Sequence, residues 1–151
     1  MEFNLVPLYS VGDIRIGMAR AEVRAAMSEE PKAFLKTPTS ERPTDAFQEL
    51  CVQVYYDSDD RAEYIEISRA PSIHPQLDGA HVFEIPATEL VQQLGRDADY
   101  DSDSEDDPTD VVFPGLSLSL WRPYGDDPDD PESRYFATVG IGRVGYYDIE
   151  K

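Results

Sequence analysis

The stretch Phe47–Arg69, FQELCVQVYYDSDDRAEYIEISR, decides the reading of this chain. Leu50, Val52, Val54 and Tyr56 alternate with Cys51, Gln53 and Tyr55, the period-2 pattern of a strand buried on one face. Asp57-Ser58-Asp59-Asp60 is a polar turn. Ile65 and Ile67 then alternate with Tyr64 and Glu66 in a second strand. The expected unit is an antiparallel hairpin with Leu50, Val52, Val54, Ile65 and Ile67 inward. Gln53, Tyr55, Tyr64 and Glu66 are then expected on the outer face.

Working outward, a shift of about 66 to 67 residues aligns a second stretch. Phe47, Leu50, Val52, Val54 and Tyr55 fall on Phe113, Leu116, Leu118, Leu120 and Trp121. Ala21-Glu22-Val23 with Met27 falls on Thr88-Glu89-Leu90 with Leu94, and Ile16 and Met18 fall on Phe83 and Ile85. Order and spacing together point to a duplication. The expected fold is α+β: one domain over 1–151, with tandem repeats at about 11–69 and 80–145. Each repeat is a helix plus an antiparallel hairpin, and the two form one sheet with helices on one face. By the alignment, Trp121 joins the outer face.

The helices are expected at Met18–Met27, stopped by Ser28-Glu29-Glu30-Pro31, and from Pro86 to Leu94, capped by Gly95. Segment 31–46, with three prolines and the bases Lys32, Lys36 and Arg42, reads as a loop. So does the connector Ala70–Gly79. Short strands are expected at His81–Ile85 and Tyr135–Ile141. The tail from Gly142 carries the adjacent pair Tyr146-Tyr147.

The chain has 151 residues and a formal net charge of −18, unevenly spread. Asp97–Asp110 holds eight acids and no base, and Asp126–Glu132 holds five acids and no base. Both read as acidic loops, the first as a mobile one. Such a surface repels nucleic acid and anionic membrane and steers basic proteins toward itself.

Cys51 is the sole cysteine, so no intramolecular disulfide forms. No pattern sets His74 or His81 beside it, so no catalytic residue is assigned. His81 aligns with Ile14 and is expected to be a partly buried strand residue. Metal and cofactor sites are not expected either. A calcium loop begun at Asp97 would put Ser102 at the glycine position and Pro108 at the glutamate position. The opening MEFNLVPLYSVGD has no basic or long apolar segment, which leads to the expectation of a cytoplasmic protein.

The phrase Ile16-Gly17-Met18-x-x-x-Glu22-Val23-x-x-x-Met27 resembles the opening of the small BamE-like outer-membrane-assembly lipoproteins. Units of that kind are similar to the halves of the β-lactamase inhibitory proteins. That resemblance implies a sheet surface that grips a target enzyme. It covers roughly a third of the chain. The chain departs from both families in lacking a lipid-accepting cysteine near its start and disulfide pairs, and its second copy has Ile85-Pro86 in place of Gly-Met. The whole chain also resembles small acidic bacterial immunity proteins, which implies a non-enzymatic inhibitor of a basic, nuclease-like toxin. The expected partner surface is Gln53, Tyr55, Tyr64, Glu66 and Trp121 with Asp101, Asp103, Asp106, Asp107, Asp126, Asp127, Asp129 and Asp130. An alternative expectation is a housekeeping assembly or regulatory module, with the sheet packed on itself in a homodimer.

Overall fold

A computed structural model describes residues 2–35 and 42–147. Among them, the first half runs through strands β1 (Glu2–Val6), β2 (Ser10–Val11) and β3 (Ile14–Arg15), helix α1 (Arg20–Met27), then β4 (Lys32–Phe34), β5 (Thr44–Phe47), β6 (Val52–Tyr56) and β7 (Ala62–Ser68). The second half runs through β8 (His74–Leu77), β9 (Ala80–His81), helix α2 (Ala87–Gly95), β10 (Asp101–Ser102), β11 (Asp110–Phe113), β12 (Leu118–Trp121) and β13 (Thr138–Gly142).

The expectation of an α+β fold built as helices on a single sheet is wrong. The described residues form thirteen strands in two sheets, with only two short α-helices. The larger sheet is ordered β10-β11-β12-β13-β7-β6-β5-β4, and the smaller β3-β2-β1-β8-β9. Nor is the unit a helix plus a hairpin, since each helix is followed by four antiparallel strands. The two sets meet where β7 pairs antiparallel with β13, Ile65 opposite Ile141 and Ile67 opposite Val139.

The physical reason lies in where apolar area sits. One contiguous core joins the inner row of the larger sheet to Phe3, Leu5 and Val11 of the smaller one. The inner row includes Val52, Val54, Ile65, Ile67, Leu118, Leu120, Val139 and Ile141. The helices add only Val23, Ala87, Leu90 and Val91 to the fully buried set. At two turns or so each, they cannot cover an eight-stranded sheet, and the smaller sheet shares that task.

Local chemistry fixes the ends. The Glu22 carboxylate accepts from the Ala19 backbone N–H at 2.9 Å, and Ser28 in the left-handed region closes α1. Gly95 lies inside α2 rather than beyond it; a Cβ there would stand 2.7 Å from the Tyr100 ring.

Segment 31–46 is not wholly a loop: it supplies β4 and β5, while Lys36 lies outside the described residues. The connector 70–79 contains β8, which pairs parallel with β1. His81–Ile85 is a strand only at its start. Leu50 is not part of the inner row. It lies in a turn whose residues Gln48, Glu49 and Leu50 all have positive φ, and its side chain is exposed.

Candidate functional site

The larger sheet has an outer face whose floor is one continuous cross-strand row. Val112, Ser119, Gly140, Glu66, Gln53, Ala46 and Lys32 lie opposite one another in sequence across seven strands. A parallel row runs Asp110, Trp121, Thr138, Ser68. Trp121 follows inward Leu120, so alternation sends the indole outward, and it is 44 % exposed.

Gln53, Tyr55 and Glu66 are half-buried on this face. Tyr64 is not the exposed anchor that alternation suggested, being only 5 % exposed. Its ring stacks on Tyr146 with centroids 4.6 Å apart and tilts against Tyr55 at 5.4 Å. The Tyr64 hydroxyl shares a 2.8 Å hydrogen bond with Ser119 and accepts from Tyr147 at 3.0 Å. Burial, with the neighbouring Tyr147 phenol, raises its pKa above the usual tyrosine range. Tyr64 lies across Gly140, where a Cβ would fall 1.7 Å from its oxygen. Alternation gave the face correctly; Tyr146 and Tyr147, which pack on Tyr64, supply the cover.

The acidic segments are not loose loops. Segment 97–110 contains β10 and the start of β11, and it is tied to the second segment by Arg122. The Arg122 side chain is fully buried. Nη2 donates to Asp107 Oδ1 at 2.9 Å and Nη1 to Asp126 Oδ1 at 2.7 Å. The carbonyls of Pro108 and Ser133 each accept from it at 2.7 Å. Asp107 also accepts from the Asp126 backbone N–H. Asp107 and Asp126 are therefore engaged by Arg122, although both carboxylates stay about half exposed.

Asp103 accepts from the Thr109 hydroxyl and the backbone of Thr109 and Asp110, which lowers its pKa to about 2. Asp127 and Asp130 shape their own turn by accepting from the backbone N–H of Asp129 and Glu132. Tyr124 donates to Asp130. Asp101, Asp106 and Asp129 project from the same rim with their side chains exposed.

A groove of about 810 Å³ opens beside Trp121, lined by Arg69, Glu84 and Glu132 and by the buried Ile73 and Phe83. His74 and His81 set their Nδ1 atoms 3.8 and 3.5 Å from the Glu84 carboxylate. His81 is exposed rather than partly buried. Among the described residues no group of three or more His, Cys, Asp or Glu could hold a metal ion. The Cys51 thiol is pushed up by partial burial and by nearby Glu49, which disfavours the thiolate a nucleophile needs.

A second charged centre fastens the other half. Asp45, fully buried, accepts from Arg24 at 2.8 and 2.9 Å, from Arg20 at 3.1 Å and from the Tyr56 hydroxyl at 2.9 Å. Arg20 also grips Asp60 in the turn between β6 and β7 and lies 3.9 Å from the Tyr56 ring centre. Burial alone would raise the Asp45 pKa. The bonds from Arg24 and Tyr56 and the positive charges outweigh it and hold the carboxyl below its usual range. This centre was invisible from the sequence, because segment 31–46 read as a loop.

No helix among the described residues is long and apolar enough to cross a membrane. Comparison with protein-family models, with characterised proteins and with solved structures finds no match.

Proposed function

We propose that this chain is a non-enzymatic binding protein that blocks a basic protein partner, in the manner of a cytoplasmic bacterial immunity protein against a nuclease-like toxin. The observation that carries the reading is Trp121, a large aromatic standing 44 % exposed on the outer sheet face, with Asp110 directly opposite it across the strand pair. Exposed tryptophan on a firm sheet is a typical interface anchor. The acidic segments beside it are fixed by Arg122, so their charge is presented in set positions rather than on floppy chain. Preset charge costs less ordering on association and speeds encounter with a cationic surface. Carboxylates in such an array stand in for the phosphates that a nuclease binds.

The test is capture of partners by the tagged chain in its bacterial host, eluted by salt. The expected result is one basic protein at equal stoichiometry, whose enzymatic activity falls to background when this chain is added. Recovery of the chain alone, as a dimer that shields Trp121, would overturn the reading in favour of a self-associating module.

A further inference from the structure

We infer that the groove beside Trp121 receives an arginine side chain of the partner, its guanidinium lying on the indole with Glu84 and Glu132 to either side. This rests on the binding-protein reading above and adds the chemistry of the anchor. The groove's floor is apolar, with Ile73 and Phe83, which suits the methylene stem of a long side chain. Its mouth is carboxylate-rich, since Glu84 and Glu132 line it and both are exposed. Asp110 stands next to the indole on the neighbouring strand. Arg69 also lines the groove, with one edge of its guanidinium turned to the backbone. Its Nη1 donates to the carbonyls of Glu132, Tyr135 and Phe136 at 3.1 to 3.4 Å. Glu84 shares its carboxylate with His74 and His81 yet stays 60 % exposed, so it and the exposed Glu132 can still meet an incoming cation.

The chemistry selects arginine for two reasons. A planar guanidinium stacks on an indole and still directs its N–H groups sideways to carboxylates, which an ammonium cannot do in one pose. An anionic side chain is repelled by three carboxylates, and a neutral amide can donate hydrogen bonds to them but lacks the charge attraction.

The experiment uses the whole chain, isotope-labelled, and the peptide acetyl-Gly-Arg-Gly-amide. The same peptide with citrulline, which keeps the shape and lacks the charge, is the control. The chain has a single tryptophan, so its one indole N–H signal reports the groove directly. The expected result is a saturable shift of that signal and of the Ala137 and Thr138 amides. The citrulline peptide should bind about tenfold more weakly, and Glu84→Gln with Glu132→Gln should weaken the arginine peptide about fivefold. An unmoved indole signal, or shifts confined to residues 101–110 and 126–130, would overturn the inference. The proposed function fails separately. A captured basic partner that binds the Glu84→Gln, Glu132→Gln chain as tightly as the original removes the arginine anchor and leaves the binding-protein reading intact.

Discussion

Arg122 Nη2 meets Asp107 Oδ1 at 2.9 Å, and through that contact the two acid-richest segments of the chain become one rim. The same guanidinium reaches Asp126 and the carbonyls of Pro108 and Ser133. A buried cation with acceptors at every side is costly to remove, because the carbonyls lose donors and the carboxylates are left to repel each other. Asp107 and Asp126 can turn to water, so the buried carbonyls set most of the loss. Arg122→Met should lower stability by about 3 kcal/mol in urea unfolding. It should also accelerate hydrogen exchange across 101–110 and 126–133 more than across β6 and β7.

Asp45 is the matching fastening in the first half, and its depressed pKa gives stability a pH dependence of definite sign. The carboxyl titrates lower in the folded chain than in the unfolded chain, so its contribution is whole above the unfolded value of about 3.9. That contribution is lost as pH falls through the folded value. Asp45→Asn should flatten acid denaturation below about pH 4 and should cost about 3 kcal/mol at neutral pH, where Arg20 and Arg24 lose the carboxylate charge they share. Urea titrations at pH 7 and pH 3 measure both.

Gly140 and Tyr64 test the cover of the outer face. A methyl group at 140 would collide with the Tyr64 oxygen, which sits in a stack with Tyr146 and cannot simply swing away. Gly140→Ala should therefore destabilise the fold by about 2 kcal/mol, in the range for overpacking. Tyr64→Phe removes only the hydroxyl shared with Ser119 and Tyr147 and should cost about 1 kcal/mol. Tyrosine fluorescence and thermal unfolding report the two changes.

Much of the core was legible because its period is 2 and its residues are aliphatic. Val52, Val54, Ile65, Ile67, Leu118 and Leu120 all lie inward as alternation requires. What alternation could not show was cover and partners. Tyr64 shares a face with Trp121, yet one is buried under the chain's last tyrosines and the other is not. β5 escaped notice because Thr44-Asp45 places a carboxylate in a fully buried row, and only the distant Arg20 and Arg24 make that tolerable. Arg122 did carry a signal. It stands between two acid-rich runs, and a base in that setting invites pairing.

The exposed acids and the engaged ones should behave differently. Changing Asp106, Asp127 and Asp129 to Asn leaves the Arg122 contacts untouched, although Asp127 also caps its own turn. That triple variant should keep its fold within about 1 kcal/mol and slow association with a basic partner, chiefly at low salt. Stopped-flow mixing at two ionic strengths separates this from a change in dissociation.

The most direct measurement is calorimetric titration of the captured basic partner with the original chain and with Trp121→Ala. Trp121 is exposed and outside the core, so the substitution should leave the melting temperature nearly unchanged. The account predicts a loss of affinity of about thirtyfold or more, the range of a central aromatic anchor. Equal affinity for the two chains would contradict it and would move the interface away from the outer face of the larger sheet.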